Sequence, residues 1–109
     1  MTVKRLTEIP ELKALSLPSP NREICGVYIG DLLSWVMGRA EADCAWITIM
    51  SNVNVIAVAT LADVSCVILA EGVTLDGEIL RTAEEKGVNV FTSKLPAYET
   101  ATLLYGALK

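Results

Sequence analysis

No histidine occurs in the 109 residues, which removes Ser–His and Cys–His nucleophile pairs and every imidazole metal site. Neither GxGxxG nor GxxxxGKS/T is present, so both glycine-rich phosphate loops are missing. Glu78, Glu84 and Glu85 fall on a helix face that looks to water, not into an acid–base pair. The three cysteines, Cys25, Cys44 and Cys66, are widely spaced and have no neighbouring Cys or His; they read as reduced structural thiols, with no metal and no cofactor. What remains is a set of polar side chains at predicted strand ends: Ser51, Asn52 and Asn54, then Glu71, then Thr92, Ser93 and Lys94. Together they supply hydroxyls, carboxamides, one carboxylate, one ammonium and a helix start, an assembly suited to a small polar or anionic ligand. The same residue types are ordinary turn and cap chemistry, so each one taken alone has a structural explanation. No catalytic residue is assigned, and the expectation is a protein that is not an enzyme.

The elements that would position this set centre on Cys44–Gly72. Trp46–Ile49 and Val64–Leu69 are short apolar runs between polar breakers, as in strands buried on both faces. Between them, Val53–Ala62 reads as a helix with Asn52 as N-cap and Asp63 at its end. The competing reading is a hairpin turning at Ser51-Asn52, because Val and Ile favour strands; Ala57, Ala59, Ala62 and the absence of Gly and Pro favour the helix. As a helix, it would bury Val53, Ile56, Ala57, Thr60 and Leu61 on one face. Val55, Val58, Ala59 and Ala62 would then stay apolar on the other, free for a second copy.

The flanking elements follow the same logic. Thr2–Glu8 predicts a short helix that buries Val3 and Leu6, and Leu12–Leu17 a first or edge strand, stopped by Pro18-Ser19-Pro20-Asn21. Ile24–Ile29 predicts a second strand. Asp31 is placed to cap a helix running through Arg39, with Leu32, Leu33, Val36 and Met37 inward and Trp35 off that stripe. Asp76–Lys86 predicts an amphipathic helix closed by Gly87, then Val88–Thr92 a strand, and Pro96 the first turn of a last helix. From Cys44 onward the order is β-α-β-α-β-α. The fold class is therefore α/β, a mainly parallel sheet with a short N-terminal helix and strand section, in one domain over residues 1–109. In such sheets ligands collect beyond the carboxyl ends of the strands, where the polar set falls.

Hydrophobic residues make up 52% of the chain and charged residues 20%, enough apolar surface for a core and for contact with another subunit. The net charge of −4 offers no basic field to a nucleic acid. No apolar run is long enough to span a membrane, and the N-terminus lacks the apolar stretch of a signal peptide. The expectation is a cytoplasmic homodimer, with a protein partner or a small anionic ligand as further partners.

A resemblance adds to this reading. NREICGVYIGDLLSWVM resembles the signature region of DRTGG domains, in which an Asp-Arg opening leads to a glycine and then a Gly-Asp-Leu-Leu helix start. AWITIMSNVNVIAVATLADVSCVILAEG resembles the strand–helix–strand section of that family, and TAEEKGVNVFTSKLPAYETATLLYGAL is similar to its closing helix, strand and helix. The resemblance assigns Asn21, Arg22, Gly26, Gly30 and Asp31 to the family motif. Asn21 stands where the family has an acidic residue, and Glu23-Ile24-Cys25 replaces most of the Thr-Gly-Gly part. The resemblance implies a compact α/β domain similar to the N-terminal domain of HPr kinase/phosphorylase. It further implies a non-catalytic regulatory or protein-interaction module, as where such domains accompany CBS pairs or phosphotransacetylase, or alternatively a nucleotide or anionic-metabolite sensor. Stand-alone members resemble proteins found beside iron-hydrogenase components in anaerobic bacteria, which implies an anaerobic redox setting.

Overall fold

The computed structural model describes residues 1–108. A 3-10 helix, Val3–Glu8, precedes strand β1 (Leu12–Ser16) and strand β2 (Gly26–Ile29). The chain then alternates: α1 (Leu33–Arg39), β3 (Cys44–Thr48), α2 (Asn54–Ala62), β4 (Cys66–Leu69), α3 (Gly77–Lys86), β5 (Val90–Ser93) and α4 (Ala97–Leu108). The sheet order is β1-β5-β4-β3-β2. β2, β3, β4 and β5 are mutually parallel, and β1 pairs antiparallel with β5 at the far edge. The expected α/β architecture is the one observed, and the parallel series reaches back to β2.

Helices cover both faces. Side chains alternate across a strand, so Cys44 and Trp46 of β3 join Val67 and Leu69 of β4 in one core with α2 and α3. Ala45, Ile47, Cys66 and Ile68 join Val3, Leu6 and Leu104 in the other. This is why β3 and β4 are continuous apolar runs: neither face meets water. Trp46 is fully buried, and its indole N–H donates to the Gly30 carbonyl at 2.8 Å.

Two expectations about helices are corrected. α2 turns inward the face expected to be free: Val55, Val58 and Ala59 are buried, joined by Ile56 alone of the expected inward stripe, whereas Val53, Ala57, Thr60 and Leu61 are exposed. Both faces are apolar, so periodicity alone cannot choose between them, and the sheet takes the face that carries Val55 and Val58. The face expected to await a second copy is therefore core. Asp31 does not cap α1; Leu32 occupies the N-cap position and no side chain bonds there. Of the expected inward stripe only Val36 is buried; Leu32 and Met37 are exposed, as is Trp35, over which the Arg39 guanidinium stacks at 3.7 Å from the ring centroid. Among the described residues, no helix is long and apolar enough to cross a membrane.

Candidate functional site at the carboxyl edge of the sheet

Parallel strands deliver four loops to one edge: Gly30-Asp31 after β2, Ile49–Val53 after β3, Ala70-Glu71-Gly72 after β4 and Lys94-Leu95 after β5. β4 lies between β3 and β5, so Ser51–Asn54 and Thr92–Lys94 come to the same edge without being neighbours.

The loop after β3 is closed by local bonds. Asn52 Oδ1 accepts the Asn54 N–H at 2.9 Å, and the Asn52 carbonyl accepts the Val55 N–H at 3.1 Å, which satisfies donors at the start of α2. Ser51 and Asn52 then line a groove of about 730 Å³ against α3, whose Ile79, Arg81 and Thr82 form the opposite wall. Asp76, Glu78 and Glu85 also face it, so carboxylates outnumber the single guanidinium. Asn54 is exposed beside it.

The loops after β4 and β5 are tied to each other. Glu71 is left-handed, with φ 61°, and its N–H donates to the Leu95 carbonyl at 2.9 Å. Gly72, also left-handed, donates to the Ser93 carbonyl at 2.7 Å. Ser93 itself is fully buried; its hydroxyl shares a 2.8 Å bond with Thr100 Oγ1 and accepts the Leu95 N–H. That hydroxyl clamps the start of α4 and presents nothing to the edge. Thr92 Oγ1 donates to the Val73 carbonyl at 2.6 Å. Thr92 and Lys94 line a second groove, about 640 Å³, with Pro10, Glu11, Leu12 and Lys13. Here two ammonium groups face one carboxylate.

The motif residues divide between the two ends of the sheet. At the carboxyl end, Asp31 Oδ1 accepts from Thr48 Oγ1 at 2.8 Å and from the Ile49 N–H at 2.9 Å, pinning the end of β2 to that of β3. Gly30 has a steric reason to be glycine: a Cβ there would come within 2.9 Å of the Tyr28 ring. At the amino end, Arg22 donates to Asp43 Oδ1 at 2.7 Å and to the Asp63 carbonyl at 2.9 Å, and pairs with Asp63 Oδ1 at 3.2 Å. Asp43 and Asp63 are both left-handed, with φ of 67° and 57°. One guanidinium thus holds the two turns that lead into β3 and β4. Partial burial works to lower the Arg22 pKa, but the bond to Asp43 and the charges of Asp63 and Asp43 outweigh it and raise the pKa above its ordinary value. Asn21 is exposed, and added bulk at Gly26 would meet nothing nearby.

Several residues that matter here were not singled out by sequence reasoning. Asn89 is fully buried and holds Ser19 through both backbone groups, and Ser65 through its carbonyl. Its position between two apolar residues, just before a strand, is the only sequence signal. Lys13 and Arg81 join the grooves through pairings that only the sheet order reveals. Of the cysteines, Cys25 is exposed, and Cys44 and Cys66 are buried on opposite faces of the sheet. Burial pushes the Cys44 thiol up to about 11 and raises that of Cys66 further.

The comparisons with known proteins agree with this architecture. No curated protein matches the sequence. Among solved structures, the CBS and DRTGG domains of the regulatory region of Clostridium perfringens pyrophosphatase, complexed with the activator diadenosine tetraphosphate, superpose with a TM-score of 0.65 at 18% identity. That match covers 85% of this chain and 40% of the other, so the chain spans well under half of its structural relative. The family model of the DRTGG domain matches residues 24–107. From β2 to the end of α4, the chain belongs to the DRTGG domain family.

Proposed function

We propose that this chain is a regulatory domain without catalysis of its own, which works in the cytoplasm as a homodimer and responds to a small nucleotide-like anion. The observation that carries this reading is its family membership, joined to the likeness with a pyrophosphatase regulatory region solved with a dinucleotide activator. That likeness favours regulation by a nucleotide over an anaerobic redox setting. The site chemistry supports a binding role: the Ser93 and Thr92 hydroxyls are engaged in internal bonds and are not held as nucleophiles. The free thiols at Cys44 and Cys66 suit a reducing compartment.

Of the two grooves, the one with Lys13 and Lys94 suits an anion, because its ammonium groups outnumber Glu11. The groove of Ser51 and Asn52, with three carboxylates, suits the uncharged part of a ligand or an amine. Thermal-shift titration of the full chain with diadenosine tetraphosphate, ATP, AMP and inorganic phosphate tests the reading. A ligand at 100 times its Kd stabilises the fold by about 2.7 kcal/mol, a rise of several degrees. Lys94→Ala should weaken the anionic ligand by about 1 kcal/mol, because the contact is exposed. No shift with any of these probes would remove the ligand and leave regulation through protein contact alone.

A further inference from the structure

The two edges of the sheet are built differently. β1 carries Lys13, breaks register between Ala14 and Ser16, and runs on into Pro18. Charge, irregularity and proline are the devices that keep an edge strand from pairing. β2 has none of them: Gly26, Val27, Tyr28 and Ile29 are uncharged, and their register with β3 is unbroken. The Cys25 N–H donates inward to Asp43 at 2.9 Å, whereas the Ile24 N–H donates to the Met1 carbonyl at 2.8 Å. Within β2 the phase is set at its other end, where the Gly30 N–H donates to the Ile47 carbonyl of β3 at 3.1 Å. By strand alternation Tyr28 then faces β3, and the backbone groups of Val27 and Ile29 point away from it. The chain's own N-terminus pairs antiparallel with this strand's lead-in, at Thr2 and Glu23, and goes no further.

An apolar groove of about 430 Å³ adjoins this edge, between Val27 and Ile29 of β2 and Tyr98, Ala101 and Leu108 of α4, with no charged side chain in its lining. Ile29 is 50% exposed and Tyr98 75%. Among the described residues, ten large apolar side chains are exposed. Four of them, Val27 and Ile29 of β2 and Tyr98 and Tyr105 of α4, line this one groove.

We infer that a second copy of this chain covers the β2 edge, with the two β2 strands antiparallel about a two-fold axis at Tyr28 and the groove beside α4 closed in the same contact. Val27 then lies opposite the partner's Ile29, so the outward backbone groups of each satisfy those of the other. A strand paired antiparallel with its own copy is self-complementary, as a two-fold interface requires. Copies of a chain with net charge −4 repel each other, and the groove between β2 and α4 has no carboxylate in its lining to oppose the approach. The inference rests on the homodimer proposed above and adds the surface that makes it.

Light scattering on the full chain at micromolar concentration tests it, together with amide exchange at Val27. The expected result is a dimer of 11.7 kDa chains with a protected Val27 amide. Ile29→Lys and Tyr98→Glu should each weaken dimerisation about ten-fold or more, and Val27 exchange should rise with dissociation. Leu61→Glu, on the exposed face of α2, should leave the dimer intact. Tyr98 projects from a helix into solvent, so Tyr98→Glu keeps the test clear of any folding defect that Ile29→Lys brings. A dimer indifferent to Tyr98→Glu, or one lost with Leu61→Glu, would overturn the surface while leaving the homodimer standing. A monomer at every concentration would overturn both, without bearing on whether the chain binds a nucleotide.

Discussion

Arg22 is the residue on which the amino end of the sheet depends. Its guanidinium is 28% exposed and bonds two aspartates held in a conformation that most side chains avoid. Both carboxylates reach solvent, so the loss on Arg22→Ala should be about 1–2 kcal/mol in urea denaturation, below the range of a fully buried pair. Arg22→Lys should recover little, because an ammonium cannot span Asp43 and Asp63 in fixed geometry. An unchanged midpoint in both variants would show that the turns hold themselves. The thiols offer a second test. In native protein only Cys25 should react rapidly with a thiol reagent, with Cys44 and Cys66 following on unfolding. The raised pKa of Cys44 favours the protonated folded state. Its contribution is complete below about pH 9, where the unfolded thiol ionises, and is lost as pH rises through about 11. Stability should therefore fall across that window, with a shallower fall in Cys44→Ala; equal slopes would contradict the assignment.

Among the elements, α2 shows what sequence can and cannot settle. Its existence was readable from an alanine-containing run without breakers between two buried strands, and so was the parallel crossover it makes. Its orientation was not, because Val53, Ala57 and Leu61 are as apolar as Val55, Val58 and Ala59, and only the sheet distinguishes them. Val58→Asp should accordingly cost at least about 3 kcal/mol, an unpaired charge placed in a core, whereas Leu61→Asp should cost under about 0.5 kcal/mol. The reverse order would restore the opposite face. α1 misled for a related reason. Asp31 has the form of a cap, yet its carboxylate joins two strand ends, a partnership fixed by the β2–β3 pairing and invisible to local spacing. The residues at the carboxyl edge were legible because strand ends are marked by polar breakers. Which of them share a groove depended on β4 lying between β3 and β5, and on β1 bringing Lys13 to Thr92.

At the scale of the molecule, the sheet separates tasks. The amino ends carry the structural clamps of Arg22 and Asn89, and the carboxyl ends carry two open grooves. The β2 edge carries the apolar groove beside α4. In the function we propose, the anion binds beside β1 and β5 and the subunit contact lies at the opposite edge of the sheet, on β2. The measurement that bears most directly on this account is an amide chemical-shift titration of the full chain with diadenosine tetraphosphate. The account predicts saturable shifts at Lys13, Thr92 and Lys94, weakened in Lys94→Ala. Silence at those three positions at millimolar ligand would contradict it.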